Sequence, residues 1–243
     1  MTTLLEVDSA LKVFGGVRAV DGASLRVEEG SITALIGPNG SGKTTLFNLV
    51  TGYLKPDGGT FRFRGRDVTG SDPGSLYRRG LTRTFQQARV FPHLSVVENL
   101  VVAGGYRWRD LLVPRVSGRD RDRAHELLEE FRMTHVAGLP AADLSYGQRK
   151  LLEFAAVLMS KPRLVLLDEP TAGVNPVMIE TMERHIRERH AAGVTFLVVE
   201  HDMQFVMRLC DPVVVLDNGK EIFAGSPADV QANPLVLDAY LGT

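Results

Sequence analysis

Apolar positions along the chain follow two rhythms. In the N-terminal part, "LLEVDSALKVF", "ASLRVEEG" and "GTFRFRG" read as strands, punctuated by Gly, Asp and Pro. "SITALIG" is a compact apolar strand feeding a glycine-rich loop, and "KTTLFNLVTG" behind it has helical spacing with Gly52 to close it. From about Ser95 to Ser160 the pattern turns helical. "SVVENLVVAG" carries a serine cap, "GRDRDRAHELLEEFRM" is charged and amphipathic, and "YRWRDLLVPRVSG" between them has no period. Strand and helix then alternate through "RLVLLDEP", "PVMIETMERHIRERHAAG", "VTFLVVEH", "DMQFVMRLC" and "PVVVLDNG". Such alternation predicts a parallel sheet covered by helices. "KEIFAGSP" reads as a hairpin partner of the last strand, with short helices in "PADVQAN" and "PLVLDAYLG" behind it. No internal repeat or low-complexity linker interrupts this order. The helical middle therefore reads as an insertion into one α/β core, with residues 1–92 and 161–243 as the core and 93–160 as the helical subdomain.

Composition narrows the picture. With 243 residues, 44% hydrophobic and 23% charged, the chain can bury a sizeable core. A net charge of −1 supplies no global basic field, which argues against a nucleic-acid partner. The charged stretch 119–123 reads as a solvated helix start. Cys210 is the only cysteine, so no intrachain disulfide can form; at a helix end it reads as a small buried hydrophobe. No run approaches the roughly 20 apolar residues needed to span a bilayer, and the first residues lack a basic, then apolar, leader. The expectation is a cytoplasmic chain whose membrane role, if it has one, comes through a partner.

Two stretches point to phosphate. Gly37–Thr44 fits G-x-x-x-x-G-K-[ST] and lies between a strand and a helix, where the pattern has meaning. Gly40 and Gly42 let backbone N–H groups converge on phosphate oxygens, Lys43 reaches the β/γ-phosphates, and Thr44 suits Mg²⁺. "LVLLDEP" delivers Asp168 and Glu169 at the carboxyl end of a buried strand, where α/β sheets bind ligands. Adjacent strand residues point apart, so Asp168 suits Mg²⁺ through water and Glu169 suits an attacking water. His201 ends the strand "VTFLVVEH" and can donate to a γ-phosphate oxygen, and Gln86 in "TFQQARVF" stands where core gives way to insertion. Taken singly, each has a plainer reading: solvated carboxylates, a structural histidine, a surface glutamine. A second anion-suited helix start, "LSYGQRK", lies far downstream at Leu144–Lys150.

In this order these residues resemble the ATP-binding cassette family, over essentially the whole chain. Gly37, Pro38, Asn39, Gly40, Ser41, Gly42, Lys43, Thr44 and Thr45 are similar to its Walker A loop. Phe14 matches the aromatic that stacks on adenine, Gln86 the Q-loop, Asp168 and Glu169 Walker B, and His201 the switch histidine. "LSYGQ" resembles the family signature, with Tyr146 where glycine is commoner. The resemblance implies an α/β, RecA-like P-loop NTPase with a mostly parallel core, an N-terminal antiparallel β subdomain and an inserted α-helical subdomain. It implies ATP and Mg²⁺, the metal held through Thr44, Gln86 and Asp168, and hydrolysis coupled to transmembrane transport.

The resemblance also explains the second helix start. In this family two cassettes pack head to tail, so Ser145, Gly147 and Gln148 would serve the ATP held by a partner cassette, identical or related. Further implied partners are integral-membrane permease subunits and, indirectly, a substrate-binding protein, with the chain peripheral on the inner face of the membrane. Asn175 departs from the aspartate usual after Walker B, and Pro176 follows it. "TRTFQQARVFPHLSVVENL", "AGVNP" and "ADVQANPLVLDAYLG" look like the ATP-binding subunits of branched-chain amino acid importers, with urea and short-amide importers close by. A lipid-export motor, a non-transport cassette protein and a P-loop small-molecule kinase are the other readings. Arg89, Val90, Phe91 and Pro92 either form a patch that takes a permease helix, or Phe91 and Leu94 pack the insertion's own core.

Overall fold

The computed structural model describes residues 2–84, 90–104 and 118–241. In chain order its elements are β1 (Thr3–Phe14), β2 (Val17–Glu28), β3 (Ile32–Ile36), α1 (Lys43–Val50), β4 (Gly58–Phe63), β5 (Arg66–Asp67), α2 (Pro73–Arg79) and β6 (Leu81–Arg83). Then come α3 (Val96–Ala103), α4 (Gly118–Glu130), α5 (Tyr146–Leu158), β7 (Leu164–Asp168), α6 (Pro176–Ala191), β8 (Thr195–Val199) and α7 (Met203–Leu209). β9 (Val213–Asp217), β10 (Lys220–Gly225), α8 (Pro227–Ala232) and α9 (Pro234–Leu241) follow.

The chain divides into two compact units. One comprises Met1–Arg83, Arg163–Glu169 and Ile186–Thr243; the other comprises Thr84–Pro162 and Pro170–His185. Among the described residues the helical unit thus takes in 84, 90–92, 161–162 and 170–185, which the sequence pattern places with the core.

The first unit holds two sheets. Four antiparallel strands run in the order β2-β1-β4-β5, and six strands run β10-β9-β3-β8-β7-β6. In the larger sheet β9, β3, β8, β7 and β6 are mutually parallel, and β10 closes the edge as an antiparallel hairpin partner of β9. Every residue of "ITALI", "LVLLD" and "TFLVV" is buried. A parallel strand covered on both faces needs such continuous apolar runs. Leu5, Val27 and Phe61 from the antiparallel sheet meet Leu35, Leu166 and Leu197 from the parallel one in a single cluster, with Leu46, Phe47 and Val50 of α1. Each fully buried side chain of this kind contributes about 1.5–3 kcal/mol. Because the strands are parallel and in register, with Asp168 opposite Val199 and Leu35 also opposite Val199, their carboxyl ends share one edge. The loops that follow β3, β7 and β8 therefore emerge together.

The second unit is helical. Ser95 opens α3 with a reciprocal capping box to Glu98, and its apolar face buries Val96, Leu100 and Val101. α4 buries Ala124, Leu127 and Leu128 from an otherwise charged surface. Phe131 packs edge-on to Phe154 of α5 at 5.5 Å and stacks on His185 at 4.2 Å. Among the described residues no helix is long and apolar enough to cross a membrane.

Candidate nucleotide site

The loop after β3 is built around two glycines that admit no side chain. Gly37 sits at φ +150°, and a Cβ there would lie 2.1 Å from the Leu216 carbonyl oxygen. Gly42 sits at φ +100° with its Cβ direction 2.4 Å from the Ala19 carbonyl oxygen. The backbone is therefore pressed against its neighbours and held by bonds from the Ser41 amide to Pro38 (3.3 Å) and from the Gly219 amide to the Ser41 carbonyl (2.9 Å). Gly42 leads into α1 without any side-chain cap, and no acidic residue lies in the helix's first turn. By contrast, α2, α3, α5, α7 and α8 all begin at capping side chains. The first N–H groups of α1, around Thr44 and Thr45, thus keep their positive potential for an anion.

Lys43 lies at the centre of this loop. Its Nζ donates to the carbonyls of Gly37 and Pro38, both at 2.8 Å, and more weakly to Ser41 Oγ at 3.4 Å. Burial pushes the ammonium below the ordinary lysine value, and the charge of Glu169 works the other way. A cation held mainly by carbonyl dipoles remains attractive to phosphate oxygens. Phe14, at the end of β1, presents an exposed ring with Lys12 Nζ 5.5 Å from its centre. Lys12 is itself anchored on Asp57 at 3.0 Å.

The carboxylates of β7 diverge as alternation requires. Asp168 turns into the protein, where its Oδ2 meets Arg83 Nη2 at 3.1 Å, both side chains being largely buried. Glu169 faces the loop edge. It adopts φ +47°, its amide donates to the Val199 carbonyl at 2.9 Å, and its Oε1 lies 3.0 Å from His201 Nε2. Glu200, buried next door, accepts the amides of His201 (2.8 Å) and Asp202 (3.3 Å) and so fixes the bend that carries His201. The structure thus brings Lys43, Thr44, Asp168, Glu169 and His201 to one sheet edge. Gln86 lies outside the described residues.

Sequence reasoning missed Arg83 and Tyr240. Arg83 binds Asn48 Oδ1 on α1 at 2.6 Å and Oγ1 of Thr51, the C-cap of that helix, at 2.9 Å, and its guanidinium lies over Phe47 and Tyr53. It ties the helix behind the phosphate loop to Asp168. We expect Arg83→Leu to leave a buried carboxylate without its guanidinium. Breaking a buried pair costs about 3–5 kcal/mol, so the thermal midpoint should fall by about 6–20 °C in a calorimetric scan. A fall under about 2 °C would show that the pair is not a structural tie. Tyr240, on α9, sits beside the Gly37 amide, which draws its hydroxyl's pKa down while burial raises it by more.

In the helical unit the signature forms a clean helix start. Ser145 caps α5 through its Oγ, which accepts the Gln148 amide, while Gln148 Oε1 accepts the Ser145 amide at 2.9 Å. Gly147 is packed so that a Cβ would lie 2.7 Å from Met178 Cε. Tyr146 donates its hydroxyl to the Ala172 carbonyl at 3.2 Å and lays its ring against Gly173. Asn175 accepts the Met178 amide at 2.9 Å, so the amide side chain acts as the cap of α6, with Pro176 in its first position. Phe91 is 55% exposed, so it does not pack the unit's own core. Its backbone is clamped by Asn99, which accepts the Phe91 amide at 2.7 Å and donates to the Phe91, Leu94 and Ser95 carbonyls.

Comparison with known proteins gives the family. Residues 20–172 match the ABC transporter family model. The chain belongs to the ABC transporter family. It is a nucleotide-binding cassette and an ATPase. Residues 220–243 of the cassette also match a model described as branched-chain amino acid ATP-binding cassette transporter. The cassette is 40% identical to the high-affinity branched-chain amino acid transport ATP-binding protein BraF of Pseudomonas aeruginosa, over 98% of both chains. It is 37% identical to the corresponding LivG protein of Escherichia coli, again over 98% of each. Among solved structures, the ADP conformation of MJ1267, an ATP-binding cassette of an ABC transporter, superposes with a TM-score of 0.90 at 35% identity, covering 100% of both chains.

Proposed function

We propose that this cassette is the ATP-hydrolysing subunit of a membrane importer for branched-chain or other hydrophobic amino acids. The observation that carries the reading is the near-complete coverage of BraF and LivG, extending through the last strand and helices of the chain. In this reading the phosphates of ATP rest on the uncapped start of α1, and the adenine stacks on Phe14. Lys43 swings its ammonium from the Gly37 and Pro38 carbonyls to the β/γ-phosphates. A bound Mg²⁺ would supply positive charge to offset the charge of the phosphates. The exposed Thr44 hydroxyl, Asp168 through water, and Gln86 are its candidate ligands; a Mg²⁺ that keeps waters and phosphates needs no larger protein cage. Glu169 takes the proton of the attacking water. His201, oriented through Glu169 and the Glu200-anchored bend, donates to the γ-phosphate.

A second cassette supplies the other half of the site. Ser145, Gly147 and Gln148 of one subunit complete the γ-phosphate coordination of its partner, and two-fold symmetry lets one sequence provide both halves. In this reading the exposed Phe91, its backbone bonded to Asn99, contacts an integral-membrane permease, and the cassette sits on the inner face of the membrane.

The test mixes two lesions. Lys43→Ala and Gly147→Asp subunits should each be inactive alone. In the mixed dimer both lesions fall in one composite site and leave the other intact, so phosphate release should partly return on mixing. Strong activity from demonstrably monomeric Gly147→Asp protein would overturn the shared site.

A further inference from the structure

Away from the nucleotide loop, four arginines line one cleft. Arg64 lies in the β4–β5 turn, Arg66 opens β5, and Arg78 and Arg79 form the last turn of α2; Phe63, just before the turn, keeps its ring in the core, and the cleft measures about 360 Å³. Among the described residues, none of the four meets a carboxylate at ion-pair distance. The nearby acids each have another partner. Asp67 accepts the Thr69 amide at 2.8 Å, Asp72 caps α2 through the Ser75 amide at 2.9 Å, and Glu6 pairs with Arg26 and Arg62.

Nothing in the fold requires this. The α2 dipole favours Arg78 and Arg79 at the helix's end, but it does not call for two further guanidiniums facing them. Arg64 is also costly where it stands. Arg64 and Gly65 occupy the two central positions of a hairpin turn with φ +54° and +70°, which suits Asn-Gly. An arginine there gives up about 1–2 kcal/mol to a left-handed backbone. Like charges gathered in a chain whose net charge is only −1 repel, and they gain most from a dense anion. A guanidinium presents a planar fork that matches phosphate oxygens two at a time, and several forks around one cleft favour phosphoryl groups over a lone carboxylate.

We propose that this cleft is a second anion site, distinct from the nucleotide loop, that binds a phosphoryl group carried by a small soluble anion or by a phospholipid headgroup. The experiment separates the two sources. Wild-type chain saturated with ADP, so that the nucleotide loop is filled, is titrated with pyrophosphate by calorimetry at physiological ionic strength. In parallel it is floated with phosphatidylglycerol vesicles and, for comparison, with phosphatidylcholine vesicles. The same measurements are made on Arg64→Asn/Arg66→Gln/Arg78→Gln/Arg79→Gln, on the milder Arg78→Gln/Arg79→Gln, and on Arg62→Gln, whose arginine is already paired with Glu6. ADP affinity reports folding in each.

The expected result is pyrophosphate binding, or capture by the anionic vesicles alone, that weakens at least about tenfold in the fourfold variant. The milder variant should fall between, and Arg62→Gln should match wild type. Pyrophosphate binding without vesicle capture assigns a soluble ligand; the reverse assigns a lipid headgroup. The proposal is overturned if wild type binds neither probe, or if binding survives unchanged in the variants that retain ADP affinity.

Discussion

Lys43→Ala should reduce ATP turnover by about 10²–10³-fold, the range found when one preorganised donor to developing charge is removed. The structure explains why the loss would be functional and not a collapse. Among the described residues the Lys43 ammonium bonds to its own loop, to Gly37, Pro38 and Ser41. Its burial, 5% exposed, means that the charge acts in a medium that screens little, and burial has already pushed its pKa down. Phosphate oxygens reaching it would push that value back up, and the same interaction strengthens their binding. Nucleotide affinity should therefore fall together with turnover, as read by calorimetric titration with ATP and by phosphate release. Lys43→Arg should rescue little, because a planar guanidinium cannot point three donors into the same small nest of carbonyls. Turnover within a few-fold of wild type in Lys43→Ala would remove the phosphate-loop assignment.

What could be read from the chain depended on how local the signal is. The phosphate loop and β3, β7 and β8 are continuous runs whose motif and period lie within ten residues or so, and each appears where the pattern puts it. The hydrophobic pattern does not predict α2, although Asp72, Pro73 and Gly80 mark its two ends. It has seven residues and buries only Leu76, which is too little to show a period. β6 spans three residues and is defined only by its pairing with β7. A strand that short has no alternation to detect.

Long-range ties were invisible for the same reason. Arg83 reaches Asp168 across 85 positions of sequence, and nothing near either residue announces the other. Tyr146 was visible as an odd residue in the signature, but its use was not. Its hydroxyl holds Ala172 and its ring covers Gly173, so it links the signature to the stretch after Walker B. Gly147 shows the converse. Helix propensity argues against glycine there, and the close approach of Met178 accounts for it.

Glu169→Gln should separate binding from hydrolysis. Glutamine keeps the length of the side chain and an oxygen where Oε1 now meets His201 Nε2 at 3.0 Å. It can take up φ +47° as readily as glutamate, and the amide bond to the Val199 carbonyl is unchanged. What it loses is the ability to accept a proton. Removing a positioned general base typically costs about 10²–10⁴-fold, so phosphate release should fall by that amount while ATP affinity stays near wild type. With hydrolysis blocked, the ATP-bound dimer should accumulate and elute ahead of the monomer in gel filtration. A different outcome would reassign the residue. If Glu169 merely orients His201, the glutamine oxygen can still accept from the imidazole, and Glu169→Gln should retain most activity while His201→Ala loses it. Near-normal turnover in Glu169→Gln, or a mutant that stays monomeric with ATP, would therefore take the base role away from Glu169 and leave the bond to His201 as its purpose.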